Sequence, residues 1–396
     1  MRFSDVIGQA AVKESLTGMV KTNRLSHALI FLAKDGTGGL PLALAMAQYL
    51  VCEKVNNNAT PGSSLFGDAE PVVIPDDACG QCSACMKAAN MVHPDIHYSY
   101  PVIPRKPGDK PVATDYIKEW REFVPIHPYG DVYDWLQFIG AENKQGNITA
   151  HECNDIIRKL NLKSFESTYK ILLMWMPEYL GNEGNKLLKL IEEPPANTLF
   201  ILVARDESKI LPTILSRTQL VRIPMLSVKD LTQALIKRTG ASPEAANQAA
   251  STAEGSYREA MLSMQHAGAD WQEMVRSWLN ATLRTGPADQ VKWVAEAAAL
   301  GREKQKQLLR YFNHLLEQSI HLQILGKEHM QLPQGESDFA ERINKIATLD
   351  QQQAILQVLD DAVYHIERNA NAKILFQALT IRIYHIIKDN AMVTIT

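Results

Sequence analysis

Long apolar runs are missing from this sequence. None approaches the ~18 residues that a membrane span requires, so no transmembrane segment is expected. An excess of either charge is missing too. Lys and Arg total 41 against 44 Asp and Glu, a formal net charge of −3. Such a balance leaves no global electrostatic footprint for DNA, so any nucleic-acid contact must be local or supplied by partners. The opening Met1-Arg2-Phe3-Ser4-Asp5 lacks the apolar core of a secretion signal, which makes the cytoplasm the expected compartment. Cysteine is scarce. In a reducing compartment the five present are expected as thiols or metal ligands, not disulfides.

What is present is the composition of a folded protein. With 46% hydrophobic and 21% charged residues, disorder is excluded. A length of 396 residues exceeds one ordinary core, so two or three domains are expected. Up to about residue 224, short apolar runs alternate with helical patterns, as in a sheet flanked by helices. Residues 28–32, 170–174 and 199–203 are continuous and apolar, as strands buried on both faces of a parallel sheet should be. Residues 42–52 are apolar nearly all round and predict a buried helix, with Pro41 suited to its first turn.

Two stretches interrupt this pattern. Residues 53–78 are rich in Asn, Pro, Gly and Asp and read as a loop. Residues 101–146 carry Tyr116, Trp120, Phe123, Tyr129, Tyr133, Trp135 and Phe138. They read as an insertion covering its own small core, with a docking surface as the alternative. Beyond Pro224 the strands stop. Three short helices are expected at 228–238, 243–253 and 257–266, separated by Gly240 and Gly255. From Trp271 the pattern is helical to the end, with Leu308, Leu309, Phe312, Leu315, Leu316 and Ile320 on one face and Ile355, Leu356, Leu359, Val363 and Ile366 on another.

A glycine-rich turn lies between the first strand and the first buried helix. A working phosphate loop reads G-x-x-x-x-G-K-[ST], its lysine reaching the outer phosphates and its hydroxyl holding magnesium. Here Ala33 replaces the first glycine, Gly36 and Gly38 remain, and Gly39 and Leu40 stand where the lysine and hydroxyl belong. Losing a charge-assisted hydrogen bond costs on the order of 1.5–3 kcal/mol, about one to two decades of affinity. Tight nucleotide binding is not expected.

Several further stretches fall in a familiar order. Phe3-Ser4-Asp5-Val6-Ile7-Gly8-Gln9 opens the chain, and Ser26-His27-Ala28-Leu29-Ile30-Phe31 leads into the glycine-rich turn. His93-Pro94-Asp95, Leu187-Leu188-Lys189, Glu192-Glu193-Pro194-Pro195 and Leu211-Pro212-Thr213-Ile214-Leu215-Ser216-Arg217 follow. From Met1 to about Met261, the two insertions aside, the sequence resembles the AAA+ clamp-loader family of bacterial DNA polymerase III, its delta-prime branch above all. That resemblance implies an α/β AAA+ module with a parallel sheet flanked by helices (1–224). It also implies a small helical lid domain (225–268) and an all-α C-terminal collar domain (269–396) that joins a ring. The C-terminal third matches only as a helical region of fitting length.

The resemblance also exposes a second loss. In this family the 170–174 strand ends in two carboxylates, which organise magnesium and polarise the attacking water. Counted from Lys170, those positions hold Trp175 and Met176; counted back from Asn185, they hold Met174 and Trp175. Neither register supplies an acid. Glu178, the nearest, is expected to face solvent and not to substitute. At the end of the 199–203 strand, Ala204 or Arg205 stands where a polar γ-phosphate sensor belongs. ATP is therefore not expected to be hydrolysed.

Cys79, Cys82 and Cys85 place three thiols on one tight loop, close to tetrahedral zinc geometry if a fourth ligand arrives. Cys52, at the end of the buried helix, is the natural fourth, and His93 is the competitor. The family has a similar four-cysteine zinc module (here about 52–85) with a shorter spacer than residues 53–78, and such a zinc would be structural. Cys153, alone on a predicted helix, reads as a core residue.

Ser216-Arg217-Thr218 resembles the Ser-Arg-Cys motif whose arginine reaches ATP bound by the neighbouring subunit, with Thr218 departing at the third position. Read alone, Arg217 is an ordinary surface arginine. Gly255-Ser256-Tyr257-Arg258 resembles the second sensor, where an arginine touches the nucleotide of its own site. Beside this degenerate loop, Gly36, Gly38 and Arg258 would be a vestigial nucleotide site, or Arg258 an inter-domain strut. The resemblance implies a zinc-containing, non-hydrolysing clamp-loader subunit. Its partners would be gamma/tau-type ATPase subunits and the delta subunit and, through them, the sliding clamp and primed DNA. An active gamma-type ATPase and a scaffold with inert Arg217 are the alternatives.

Overall fold

Five short strands frame the N-terminal part of the chain: β1 (Ala28–Ala33), β2 (Ile96–Ser99), β3 (Lys170–Trp175), β4 (Thr198–Ala204) and β5 (Gln219–Ile223). In the computed structural model, which describes residues 1–59, 74–141, 144, 146–265, 271–326, 334–367 and 370–390, they form one sheet in the order β2-β3-β4-β1-β5. Every pairing is parallel; Ile30, for example, lies opposite Leu202 on one side and Leu220 on the other. The central strands β1, β3 and β4 are the three that the apolar runs predict. The edge strands β2 and β5 escape that expectation: β2 is largely buried but its four residues include His97 and Ser99, and β5 is half open to water. Gln219, Leu220 and Arg222 of β5 are exposed, so no continuous apolar run marks it.

Alternate residues of the central strands feed two cores, as period-two geometry requires. Leu29, Phe31, Ile171, Leu173, Leu199 and Ile201 pack with the helix Gly39–Val51, every residue of which is buried. Ala28, Ile30, Leu172, Met174, Phe200 and Leu202 face the other way, onto Cys153, Ile156 and Leu160 of the helix Ala150–Leu160 and onto Ile191 and Ile214.

The two interruptions differ from expectation. Residues 53–78 are not all loop: a helix runs over Glu53–Ala59, and residues 60–73 lie outside the described ones. The 101–146 stretch does not cover a core of its own. It forms helices Ile117–Ile126 and Val132–Phe138, and Tyr116, Trp120, Phe123 and Trp135 join the main core. Trp120 stacks on Tyr100 at 4.0 Å and meets Trp175 of β3 at 5.3 Å. One sheet face was short of cover beside β3, and the insertion's aromatic rings supply it.

Chain contacts divide the molecule into two compact units, Met1–Leu262 and Ser263–Thr396. Helices Val228–Thr239 and Pro243–Thr252, and most of Tyr257–Gln265, belong to the first. Ser227 and Ser242 cap the first two by accepting the N–H of Asp230 and Ala245. Gly240, at φ 71°, ends the first in the left-handed conformation that glycine adopts without strain. In the second unit Leu308, Leu309, Phe312, Leu315 and Leu316 are fully buried, as are Ile355 and Leu359, while Ile320 is only partly covered. Trp278 anchors this core, stacked on Trp293 at 4.4 Å and donating its indole N–H to the Thr380 hydroxyl at 2.9 Å. Among the described residues no helix is long and apolar enough to cross a membrane.

Candidate functional site

The glycine-rich turn sits where a phosphate loop would, at the C-terminal end of β1 and ahead of the helix Gly39–Val51, with Gly38 as N-cap at φ 105°. Its surroundings are filled. A β-carbon at Gly39, the lysine position, would lie 2.6 Å from Ala33 Cβ and 3.0 Å from Val203 Cγ1. A side chain there has no room. Leu40 is buried, and the hollow left over the loop measures about 20 Å³, space for roughly one water molecule. Trp175 and Met176 line it at the end of β3, so the register counted from Lys170 is the one that faces the loop, and it brings no carboxylate.

Two acids near the loop are already engaged. Glu178 does not face solvent. After Met176 reverses the chain at φ 59°, the Glu178 carboxylate turns inward and accepts the backbone N–H groups of Arg205 and Asp206, the latter at 2.9 Å. Burial raises its pKa above the usual carboxylate range, against those hydrogen bonds. Asp35 of the loop pairs with Arg205 at 2.8 Å, so Arg205, one of the two candidates for the sensor position, meets this chain's own carboxylate.

Arg258 lies beside Gly36 but faces acids. Its Nε and Nη2 grip Asp134 Oδ2 and Oδ1, each at 2.6 Å; Nη1 meets Glu259 at 2.9 Å, and Asp131 is 3.5 Å away. Burial alone would raise the Asp134 pKa, but the Arg258 hydrogen bonds and charge outweigh it and hold the carboxyl below its ordinary value. The sequence expectation did not include Asp131 and Asp134. Asp131-x-x-Asp134 is a legible helix-start signal, and the two form a capping box. Their contact with a residue 124 positions away is not legible.

The cysteine group is complete. The Sγ atoms of Cys52, Cys79, Cys82 and Cys85 all lie within 4.8 Å of one another, with Cys79 and Cys85 at 3.9 Å. Four thiolates about 2.3 Å from one tetrahedral ion would sit roughly 3.8 Å apart, so the group can hold a metal ion. Backbone N–H groups already point at sulfur: Cys82 at Cys79, Cys85 at Cys82, and Cys79 at Cys52, each at 3.4 Å. Burial opposes ionisation at Cys79, yet the N–H groups of Gln81 and Cys82 bring its pKa down to about 6. At Cys85, burial pushes the thiol strongly up. His93 is not in the group; its Nδ1 accepts the Asp95 N–H at 3.2 Å and its Nε2 faces Glu166 at 3.3 Å. Cys153 is fully buried in the second sheet-face core.

Arg217 stands at the surface, just past the helix Pro212–Leu215, with its side chain about one-third exposed. Nη1 donates to the Thr213 carbonyl at 2.9 Å and to the Ser216 hydroxyl at 3.1 Å, while Nε and Nη2 face Glu192. An exposed pair of this kind contributes about 0–1 kcal/mol.

A parallel sheet in this strand order, with a glycine-rich turn between β1 and a buried helix, defines the class: this is an AAA+ module. Residues 8–227 match the family model described as "DNA polymerase III, delta subunit", and the chain belongs to that family. It is 26% identical over 230 residues to DNA polymerase III subunit delta' of Bacillus subtilis (strain 168), covering 58% of this chain and 52% of that one. Against subunit delta' of Escherichia coli (strain K12) the identity is 23% over 308 residues, 76% and 72% of the two chains. Subunit tau of Bacillus subtilis is 24% identical over 323 residues, 80% of this chain and 46% of that one. The chain thus spans about half the length of the two Bacillus relatives.

Proposed function

We propose that this chain is a non-hydrolysing subunit of a bacterial clamp loader, working in the cytoplasm with gamma/tau-type ATPase subunits and a delta subunit. It neither hydrolyses ATP nor binds it tightly. Its contribution to catalysis is Arg217, offered in trans to ATP on a neighbouring subunit, where a planar guanidinium neutralises charge developing on the γ-phosphate. Residues 225–268 serve as the lid and 269–396 as the collar that joins the ring. The assembly opens a sliding clamp and places it on primed DNA. Cys52, Cys79, Cys82 and Cys85 hold a structural zinc, which leaves no coordination position open for chemistry.

The observation that carries this reading is a contrast within one unit. The chain's own loop has no space for a lysine side chain, while Arg217 stands at the surface on a weak exposed pair. The test is a complex reconstituted with gamma/tau-type and delta subunits, assayed for ATP hydrolysis and clamp loading with wild-type chain and with Arg217→Ala. Equal rates in an intact complex would remove the trans role. A scaffold reading, in which Arg217 only pairs with Glu192, would then stand, and the Glu192 contact is the observation in its favour.

A further inference from the structure

Residues 101–146 have so far been accounted for only as packing. At their centre the helix Ile117–Ile126 ends, and His127, Pro128, Tyr129 and Gly130 turn the chain into the capping box of Val132–Phe138. The Gly130 N–H donates to the His127 carbonyl at 2.9 Å, closing the turn. The box is reciprocal: Asp131 Oδ1 accepts the Asp134 N–H at 2.8 Å, and Asp134 Oδ2 accepts the Asp131 N–H at 3.0 Å. Asp134 is therefore preorganised before it meets Arg258 in its two-pronged contact. One guanidinium, 6% exposed, faces three carboxylates. It has no charge to offer a phosphate, and an incoming polyphosphate would meet Asp131 and Asp134 first.

Tyr129 works on the other side of the loop. Its ring edge lies 3.3 Å from where a β-carbon on Gly38 would stand. Its hydroxyl accepts the Ile7 N–H at 2.8 Å, within the opening segment of the chain. The ring meets Tyr257 at 4.9 Å, and the Arg238 guanidinium lies over both rings, at 5.4 and 5.2 Å. The Tyr257 N–H also donates to the Gly36 carbonyl at 2.9 Å, and a β-carbon at Gly36 would fall 2.0 Å from Ser256 Oγ. The turn at 127–134 thus touches the opening segment, the glycine-rich loop and the two helices that carry Arg238 and Arg258.

We propose that residues 127–134 are a built-in ligand of the degenerate nucleotide site: Tyr129 covers the loop, Asp131 and Asp134 take Arg258, and together they hold the 228–262 helices closed without nucleotide. Two discrete contacts do this, an aromatic one at Gly38 and an ionic one at Arg258. Asp134 is the acid that Arg258 grips with two hydrogen bonds, and Glu259 lies on the same helix as Arg258, so losing Asp134 should free these helices more than the rest of the sheet. The closed state then answers to the integrity of the turn and not to ATP. This lock does not depend on the chain's place in a clamp loader, so its failure and the failure of the proposed function are separable.

The test is hydrogen–deuterium exchange on the isolated full chain, with and without Mg·ATP at about 1 mM. Wild type should show the same exchange in both conditions. Asp134→Asn should accelerate exchange in residues 228–262 about tenfold or more while β1, β3 and β4 keep their protection. Adding Arg258→Gln to Asp134→Asn should accelerate it by less than the product of the single effects, since the two groups are coupled. If Asp134→Asn does not fold, Tyr129→Phe, which removes only the hydroxyl on Ile7, should still give a smaller acceleration in the opening segment and the same helices. Protection of residues 33–40 by ATP in wild type would overturn the proposal. So would wild-type exchange in Tyr129→Phe, or effects of Asp134→Asn and Arg258→Gln that simply multiply.

Discussion

The glycine-rich loop and the Arg217 corner belong to the same compact unit, and both follow the family pattern closely enough to be found in the sequence. They end in opposite surroundings. Around Gly36–Leu40 every position is buried, and Arg258, itself 6% exposed, is spent on Asp134. Around Arg217 the only ionic partner among the described residues is an exposed Glu192 that water screens. On the proposed reading, a motif keeps its chemistry where a ligand or neighbour can reach it. Where its own chain has filled the space, the same motif becomes packing.

Breaking the open end of this comparison should give the largest effect. In a reconstituted complex, Arg217→Ala should lower single-turnover hydrolysis at the facing site by about 10³–10⁵-fold, the range measured for arginine fingers in GTPases. Bulk turnover should fall less, because other sites keep their own arginines. Arg217→Lys should rescue poorly, since a point charge cannot reproduce the planar fork. Unchanged single-turnover rates would place Arg217 with the packing residues after all.

The cysteine group tests whether a site complete within the chain behaves differently from both. Elemental analysis of protein purified without chelator should find one zinc per chain. Cys85→Ser and Cys52→Ser should each lose it, and His93→Gln should keep it. In small peptides structural zinc contributes roughly 10–16 kcal/mol. Here β1, β3 and β4 have their own cores, so exchange should rise in residues 74–89 while those strands stay protected. A Cys52→Ser protein that retains full zinc would end this assignment.

Gly39→Lys addresses the closed end directly, by restoring the residue that a working loop needs. It should destabilise the first unit by about 1–3 kcal/mol in urea unfolding, the usual cost of overpacking, because Ala33 and Val203 occupy the space of its β-carbon. Calorimetry should detect no ATP binding at about 1 mM. Micromolar binding by this variant would mean that the lost lysine, and not the filled site, is what keeps nucleotide out.

The smallest effect concerns pH. Asp134 titrates below its ordinary value in the folded protein, burial being outweighed by Arg258. Its contribution to stability is therefore fully present above the ordinary carboxylate range and is lost as pH falls through the depressed folded value. Asp134→Asn should be less stable than wild type at neutral pH, and the gap should narrow as the solution is acidified below about pH 4. A gap constant down to pH 2, in thermal unfolding monitored by circular dichroism, would show that the carboxylate's charge is not what Arg258 requires.

Much of this was legible in the residues. Continuous apolar runs marked β1, β3 and β4, because a strand covered on both faces needs an apolar side chain at every position. The helices expected at 228–238, 243–253 and 257–266 were marked by Gly240 and Gly255 between them. The edge strands were not legible, since polar residues interrupt both, His97 and Ser99 in β2 and Gln219 and Arg222 in β5, so neither makes a continuous apolar run. Glu178 was misplaced for a related reason: the reversal at Met176, not the spacing of residues, turns its carboxylate back under the end of β4. The aromatics of 101–146 could be recognised as packing residues, but not that their core is the main one.

By itself the sequence determined that the catalytic parts of a phosphate site are absent, since Gly39, Leu40, Trp175 and Met176 carry no charge or hydroxyl whatever their surroundings. It also determined that Cys79, Cys82 and Cys85 lie close together, because two residues separate each from the next, although the structure places Cys82 at the N-cap and Cys85 in the first turn of the helix Ser83–Ala89 and not on one loop. Only the tertiary structure decided what fills the phosphate site and what completes the thiol group. Asp134 meets Arg258, Tyr129 covers Gly38, and Cys52 closes on Cys79 and Cys85 across long stretches of chain. Those meetings depend on how the insertion and the buried helix pack against the sheet. That packing minimises the exposed apolar surface of the whole unit and leaves no trace in local spacing.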